Sequence, residues 1–133
     1  MTEDRRFRKT ERLRWQRCFE RVFAERCTAG DSVLVVYVAP NGRARSRLGI
    51  RTSRRIGTAV ARAYVRRRIR EAFRTNKASI PPGYDIVCVP RARAKVKSVD
   101  VAAPLIRALR AAVARSQSRP AARTGAKPDR EST

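Results

Sequence analysis

Apolar residues recur along this chain with two different periods, and the changes of period predict six elements. From Glu11 to Cys27, the residues Trp15, Cys18, Phe19, Val22, Phe23 and Cys27 fall at three- and four-residue spacing, one face of an amphipathic helix. Thr28-Ala-Gly-Asp31 ends that helix with a glycine turn. Ser32 to Ala39 (SVLVVYVA) is a nearly continuous β-branched run, as a buried strand requires, and Pro40-Asn-Gly42 is a turn. Arg45 to Ser53 then alternates, with Leu48, Ile50 and Thr52 separated by Arg47, Gly49 and Arg51, which predicts a second strand paired with the first as a hairpin. After a basic loop, Arg54 to Gly57, Thr58 is the N-cap of a helix that runs to about Lys77. Ile80-Pro-Pro-Gly83 breaks it, and Tyr84 to Pro90 (YDIVCVP) is a third strand. Arg91 to Lys97 is a basic loop. Ser98 or Asp100 caps a last helix carrying Val101, Leu105, Ile106, Leu109 and Val113, with Pro104 tolerated near its first turn.

That order describes an α+β protein, a two-layer α/β sandwich in which a small sheet carries three helices. Residues 1–10 form a basic N-terminal arm and residues 11–115 the folded domain. In residues 116–133 Ser, Arg, Pro, Thr and Gly replace the periodic pattern, as in a disordered basic tail. A chain of 133 residues suffices for one such domain. No apolar run approaches the ~18 residues of a membrane span. Met1 to Lys9 is charged and has no apolar stretch, unlike a secretory signal. Cys18, Cys27 and Cys88 are odd in number and lack CxxC spacing, which argues against disulfides and a Cys-rich zinc site and for reduced thiols in a cytoplasmic protein.

Charge narrows the function. Lys and Arg number 33 against 11 Asp and Glu, with no His, for a net charge of +22 and a pI near 11.8. Such self-repulsion makes sense if a polyanion neutralises it, nucleic acid first and an anionic membrane surface second. Of the basic residues 28 are Arg, whose forked guanidinium suits phosphate and stacks on bases. Codon bias accounts equally well for the preference for Arg over Lys, but not for the charge excess.

The charge concentrates in Ala59 to Lys77 (AVARAYVRRRIREAFRTNK). At about 100° per residue, Thr58, Ala61, Val65, Ile69 and Ala72 share one face, with Phe73 at its edge. Arg62, Arg66, Arg70 and Arg74 recur every four residues beside that face, and Arg67 and Arg68 add charge on neighbouring rows. Like charges at i, i+4 cost a helix roughly 0.2–0.5 kcal/mol per pair, and Glu71 is the lone acid among them. A phosphate backbone would offset that cost; the bland alternative is an ordinary solvated face.

Arg47-Leu-Gly-Ile-Arg-Thr-Ser-Arg-Arg-Ile-Gly-Thr-Ala-Val60, followed by this helix, resembles the protein subunit of bacterial ribonuclease P. The family pattern runs roughly RxG, then S-K/R-K/R-x-G-x-AV, then RNRxKRxxRExFR. Arg47 and Gly49, Ser53-Arg-Arg55, Gly57, Ala59-Val60, Arg62, and Val65, Arg66, Arg67, Arg70, Glu71, Phe73 and Arg74 carry the match. Arg12-Leu13, the Phe19-x-x-x-Phe23 spacing and Gly83-Tyr84-Asp85-Ile86-Val87 extend it to about residues 5–115. The RNR triplet departs: Arg62-Ala63-Tyr64 lacks its Asn and second Arg, side chains associated in the family with RNA contacts. Arg67 and Arg68 are candidates to compensate, and Tyr64 could stack on a base or pack under the loop before the helix.

The resemblance implies a mostly four-stranded sheet with a left-handed βαβ crossover, and a fourth strand sought near Arg51 to Arg55. It implies a subunit of an endoribonuclease that removes the 5′ leader of precursor tRNA, in which the partner RNA carries the chemistry and its magnesium ions activate the water. No cofactor or metal is expected on the protein, no side chain is expected to be catalytic, and neither a membrane nor an obligate protein partner is implied. Arg54, Arg55, Arg62, Arg66, Arg67, Arg70 and Arg74 would face the RNase P RNA. Phe19, Phe23 and Val36 would line a cleft for the single-stranded leader, although on spacing alone the core reading of both Phe is the favoured one. A ribosomal or general RNA-binding protein without an enzymatic role fits charge and size as well, and only the motif order from Gly49 to Arg74 argues against it. A major-groove DNA reader is disfavoured because the basic helix follows a hairpin rather than a helix-turn. A nuclease acting alone is disfavoured because His is absent and no carboxylates cluster as in a two-metal site.

Overall fold

A computed structural model describes residues 11–13, 15–91 and 101–118. The basic arm, the candidate caps Ser98 and Asp100, most of the loop after Arg91 and the tail beyond Ser118 lie outside these residues. In chain order the elements are α1 (Gln16–Glu25), β1 (Cys27–Gly30), β2 (Leu34–Pro40), β3 (Arg47–Ile50), α2 (Ala59–Thr75), β4 (Tyr84–Pro90) and α3 (Ala102–Gln117). The strands make one sheet in the order β1-β2-β4-β3, antiparallel except for the parallel pair β3 and β4, which α2 connects. The α+β architecture with three helices and a four-stranded sheet is the one expected.

Three details differ. The fourth strand is Cys27–Gly30 and not a piece of Arg51 to Arg55, where a short 3-10 turn (Arg54–Ile56) stands instead. Arg26 takes a left-handed conformation (φ 56°) and stops α1, so Cys27 leaves the helix and pairs with Val38. At its other end α1 begins only at Gln16, because Leu13 donates its N–H to the Leu48 carbonyl (2.9 Å) and extends along β3. Second, β3 forms no hairpin with β2. Asn41 binds the Gly83 carbonyl through its N–H (3.0 Å), and Ser46 Oγ donates to the Pro81 carbonyl (2.7 Å) and accepts from the Tyr84 N–H (3.0 Å). The loop is thus tied to the entry of β4, which inserts between the two strands and is buried on both faces, as a central strand must be. Third, α3 runs through Ser116, which is buried, so the tail begins later than its composition suggests.

Strand pleating divides the interior into two cores. Leu34, Val36 and Val38 of β2 with Ile86 and Cys88 of β4 face α2 and α3, where they meet Val65, Ile69, Phe73, Leu105, Leu109 and Val113. Ala39 and Val87 face the other way, toward α1, and form a smaller cluster with Leu13, Cys18 and Val22. The sheet therefore lies between α1 on one face and α2 and α3 on the other. The small α1 layer gains a polar clamp. Asp85, fully buried, accepts from Arg47 Nε (2.7 Å) and Nη2 (2.6 Å) on β3, from Arg21 Nη2 (2.5 Å) on α1 and from Asn41 Nδ2 (3.0 Å).

Candidate nucleic-acid interface

The basic helix is built as its periodicity requires. Thr58 Oγ1 accepts from the Ala61 N–H (3.2 Å), and Val65, Ile69, Ala72 and Phe73 are buried. Gly57, at φ 138°, makes the corner between the 3-10 turn and α2, a backbone state that L side chains rarely adopt. Not every guanidinium on the helix is equally available. Arg62 Nη1 donates to the Gly57 carbonyl (2.7 Å) and Arg66 Nη1 to Thr52 Oγ1 (3.0 Å), so both brace the loop before the helix. Arg74 binds Glu71 (2.6 Å), whose carboxyl is held below its ordinary pKa by that hydrogen bond. Arg70 lies half-buried beside Arg12 and Arg66; burial first, then those two like charges, pulls its pKa down. An arriving phosphate would relieve that repulsion. Arg54, Arg55 and Arg67 are exposed. Tyr64 is flanked by two arginines: the guanidiniums of Arg67 and Arg68 sit 5.5 and 5.9 Å from its ring centroid, and Arg68 Nη1 donates to its hydroxyl (3.3 Å).

On the opposite face of the sheet, Phe19 and Phe23 are half-buried at the edge of the α1 cluster. Phe23 meets Tyr37 edge-on at 4.8 Å, and the Arg51 guanidinium lies 5.1 Å from the Phe19 ring and 5.4 Å from the Phe23 ring. Gly49 makes room for this arrangement: a Cβ there would stand 2.5 Å from Phe19 Cζ and 3.1 Å from Leu13 Cβ. Val36, expected beside the two Phe, lies on the other face of the sheet. It is fully buried in the core on the α2 and α3 side, because β2 presents Tyr37 and Ala39, not Val36, to α1. Arg51 and Tyr37 stand against the two Phe rings, and sequence reading named neither. The signal was present, since Arg47, Gly49 and Arg51 alternate with core-facing Leu48 and Ile50, and so share the face of α1. The two surfaces meet at the end of β3, where Arg51 covers the Phe rings and the next residue, Thr52, is held by Arg66 of the basic helix.

A model of the ribonuclease P family matches residues 7–118. The chain belongs to the ribonuclease P protein family. It is 44% identical over 91 residues to the ribonuclease P protein component of Thermotoga maritima, covering 68% of this chain and 76% of that one. It is 40% identical over 89 residues to that of Petrotoga mobilis, covering 67% and 75%. The solved RNase P protein of T. maritima matches the fold with a TM-score of 0.68 at 35% identity, over 83% of this chain and 99% of that one. The Staphylococcus aureus RNase P protein matches at 0.68 and 28% identity, over 77% and 94%. As a ribonuclease P protein the chain is a component of a tRNA-processing ribonucleoprotein, the subunit of an endoribonuclease, and its partner is RNase P RNA. A purely ribosomal or general RNA-binding role is not favoured. Among the described residues, no helix is long and apolar enough to cross a membrane, and no group of His, Cys, Asp and Glu is placed to hold a metal ion.

Proposed function

We propose that this ribonuclease P protein grips the RNase P RNA with the exposed and half-buried arginines of α2 and its preceding loop, and holds the 5′ leader of precursor tRNA in the cleft under α1. Arg54, Arg55, Arg62, Arg66, Arg67, Arg70 and Arg74 form the first surface. Phe19, Phe23, Tyr37 and Arg51 form the second. The observation that carries this reading is the placement of Arg51 over both Phe rings: aromatic faces stack on any base while an adjacent cation attracts the backbone, which suits a single strand of variable sequence. The protein assists removal of the leader, and the chemistry belongs to the partner RNA and its magnesium ions. Three of the protein's acids serve as structural anchors: Asp85 clamps Arg21 and Arg47, Glu11 binds Lys77 (2.9 Å) and Glu71 binds Arg74.

The test is reconstitution with a bacterial RNase P RNA and labelled precursor tRNA at low magnesium. Intact protein should restore leader removal. Changing Arg66, Arg67 and Arg70 together to Ala should weaken it and flatten the salt dependence of RNA binding, by about 0.7 to 0.9 in log–log slope for each phosphate no longer neutralised. Protein that binds the RNA but never alters cleavage would be a general RNA binder, and the proposal would fall.

A further inference from the structure

Trp15 is the only tryptophan of the chain, and it is 56% exposed. It occupies the N-cap of α1, where a Ser, Thr, Asp or Asn would accept from an orphan helix N–H; its side chain makes no such bond. The position thus forgoes a helix cap for a large ring left in solvent. The Arg17 guanidinium lies 5.6 Å from that ring's centroid. Phe19 and Phe23 follow Trp15 at four-residue intervals, each roughly 6 Å further along the helix. Arg51 covers that pair as Arg17 covers the tryptophan. Val60, the other exposed large apolar residue among the described residues, is aliphatic and stands on α2, on the far side of the sheet.

We propose that Trp15, with Arg17 over its ring, is a third stacking platform for single-stranded RNA, which lengthens the Phe19–Phe23 cleft at the N-terminal end of α1 and takes one further base of the leader. The proposal rests on the assignment of that cleft to the leader. An indole with a guanidinium beside it repeats the chemistry of the cleft, a π-face for a base and a cation for the adjoining phosphate. The consequence is specificity for leader length: short leaders reach Phe19 and Phe23 only, and longer ones reach Trp15 too.

The single tryptophan makes the test direct. The holoenzyme, reconstituted from full-length chain and RNase P RNA, is titrated with mature tRNA and with precursors whose leaders grow one nucleotide at a time, following both affinity and Trp15 emission. The expected result is unchanged emission with RNase P RNA and mature tRNA, and quenching once the leader exceeds a threshold length. Trp15→Ala should lower affinity for precursors above that threshold by about fivefold or more, the effect of losing one base–aromatic stack, and leave shorter ones unaffected. Trp15→Phe should recover most of the loss. Equal affinity of Trp15→Ala and the native chain at every length would overturn the proposal, as would a uniform loss that includes mature tRNA, or quenching by RNase P RNA alone. Phe19→Ala separates the two levels. If it weakens leader binding while Trp15→Ala does not, only the third platform falls. If native affinity ignores the leader altogether, the cleft assignment falls and the platform with it.

Discussion

Replacing Asp85 by Ala should be among the most damaging single changes in this protein. The carboxylate is wholly buried and accepts four hydrogen bonds, two from Arg47, one from Arg21 and one from Asn41. Without it the Arg47 side chain, 10% exposed, keeps its charge with no carboxylate beside it. Removing one partner of a buried pair costs about 3–5 kcal/mol, chiefly because the surviving charge is stranded. Arg21, at 22% exposure, can turn to water and adds less. A domain of this size has about 5–15 kcal/mol to lose, so the variant should remain folded but unfold at much lower urea. The assay is urea denaturation followed by far-UV circular dichroism. The decisive arm is the double change Asp85→Ala with Arg47→Met. If the cost is the stranded guanidinium, removing it should return part of the loss, and the two changes should be far from additive. An Asp85→Ala cost below about 1 kcal/mol, or strict additivity, would refute the account.

Gly49→Ala should displace the Phe19 ring from beneath Arg51, cost about 1–3 kcal/mol of stability through overpacking and weaken leader binding more than binding of mature tRNA; precursor-minus-mature affinity measures it. Asp31 accepts from the Val33 N–H (2.8 Å), which holds its pKa below the ordinary 3.8. Its contribution to stability is therefore present above about pH 3.8 and lost as pH falls through the lower folded value, so the melting-temperature gap between the native chain and Asp31→Ala should close on acidification. Burial pushes the Cys88 thiol up to about 12, so it should resist iodoacetamide at neutral pH in the folded protein and react fully in denaturant, as mass spectrometry would show.

What could be read from the sequence was what local pattern encodes. Helix α2 was legible with its cap and its buried face, because Thr58 and the spacing of Val65, Ile69 and Ala72 act within a few residues of one another. The same holds for Phe19 and Phe23 on one side of α1. Partnerships across the chain were not legible. β1 is four residues, CTAG, with no strand signature of its own, and it exists because β2 offers it an edge. The expected hairpin failed because a strand some 40 residues later takes the place beside β2, and an antiparallel neighbour leaves the same alternation as any other. Val36 was placed on the wrong face because Leu34 to Ala39 is apolar throughout, so its alternation carries no parity. The Asp85 clamp joins residues 38, 44 and 64 positions apart.

The two faces of the sheet are held by different forces, and this bears on how the two proposed grips can vary. Helix α2 rests on the large apolar core that it shares with α3, so an exposed arginine such as Arg67 can change without moving the helix. Helix α1 has only a small cluster beneath it and depends on the Arg21–Asp85–Arg47 clamp for its position. Phe19 and Phe23 ride on that helix, while Arg51 rides on the end of β3, four residues from Arg47. Asp85 thus fastens both walls of the proposed cleft at once. Damage to the clamp should therefore open the cleft before it touches the basic helix: a mild variant such as Asp85→Asn should lose preference for precursor over mature tRNA while keeping its affinity for RNase P RNA. The reverse order, RNA affinity lost first, would mean that α1 is held by something other than this carboxylate.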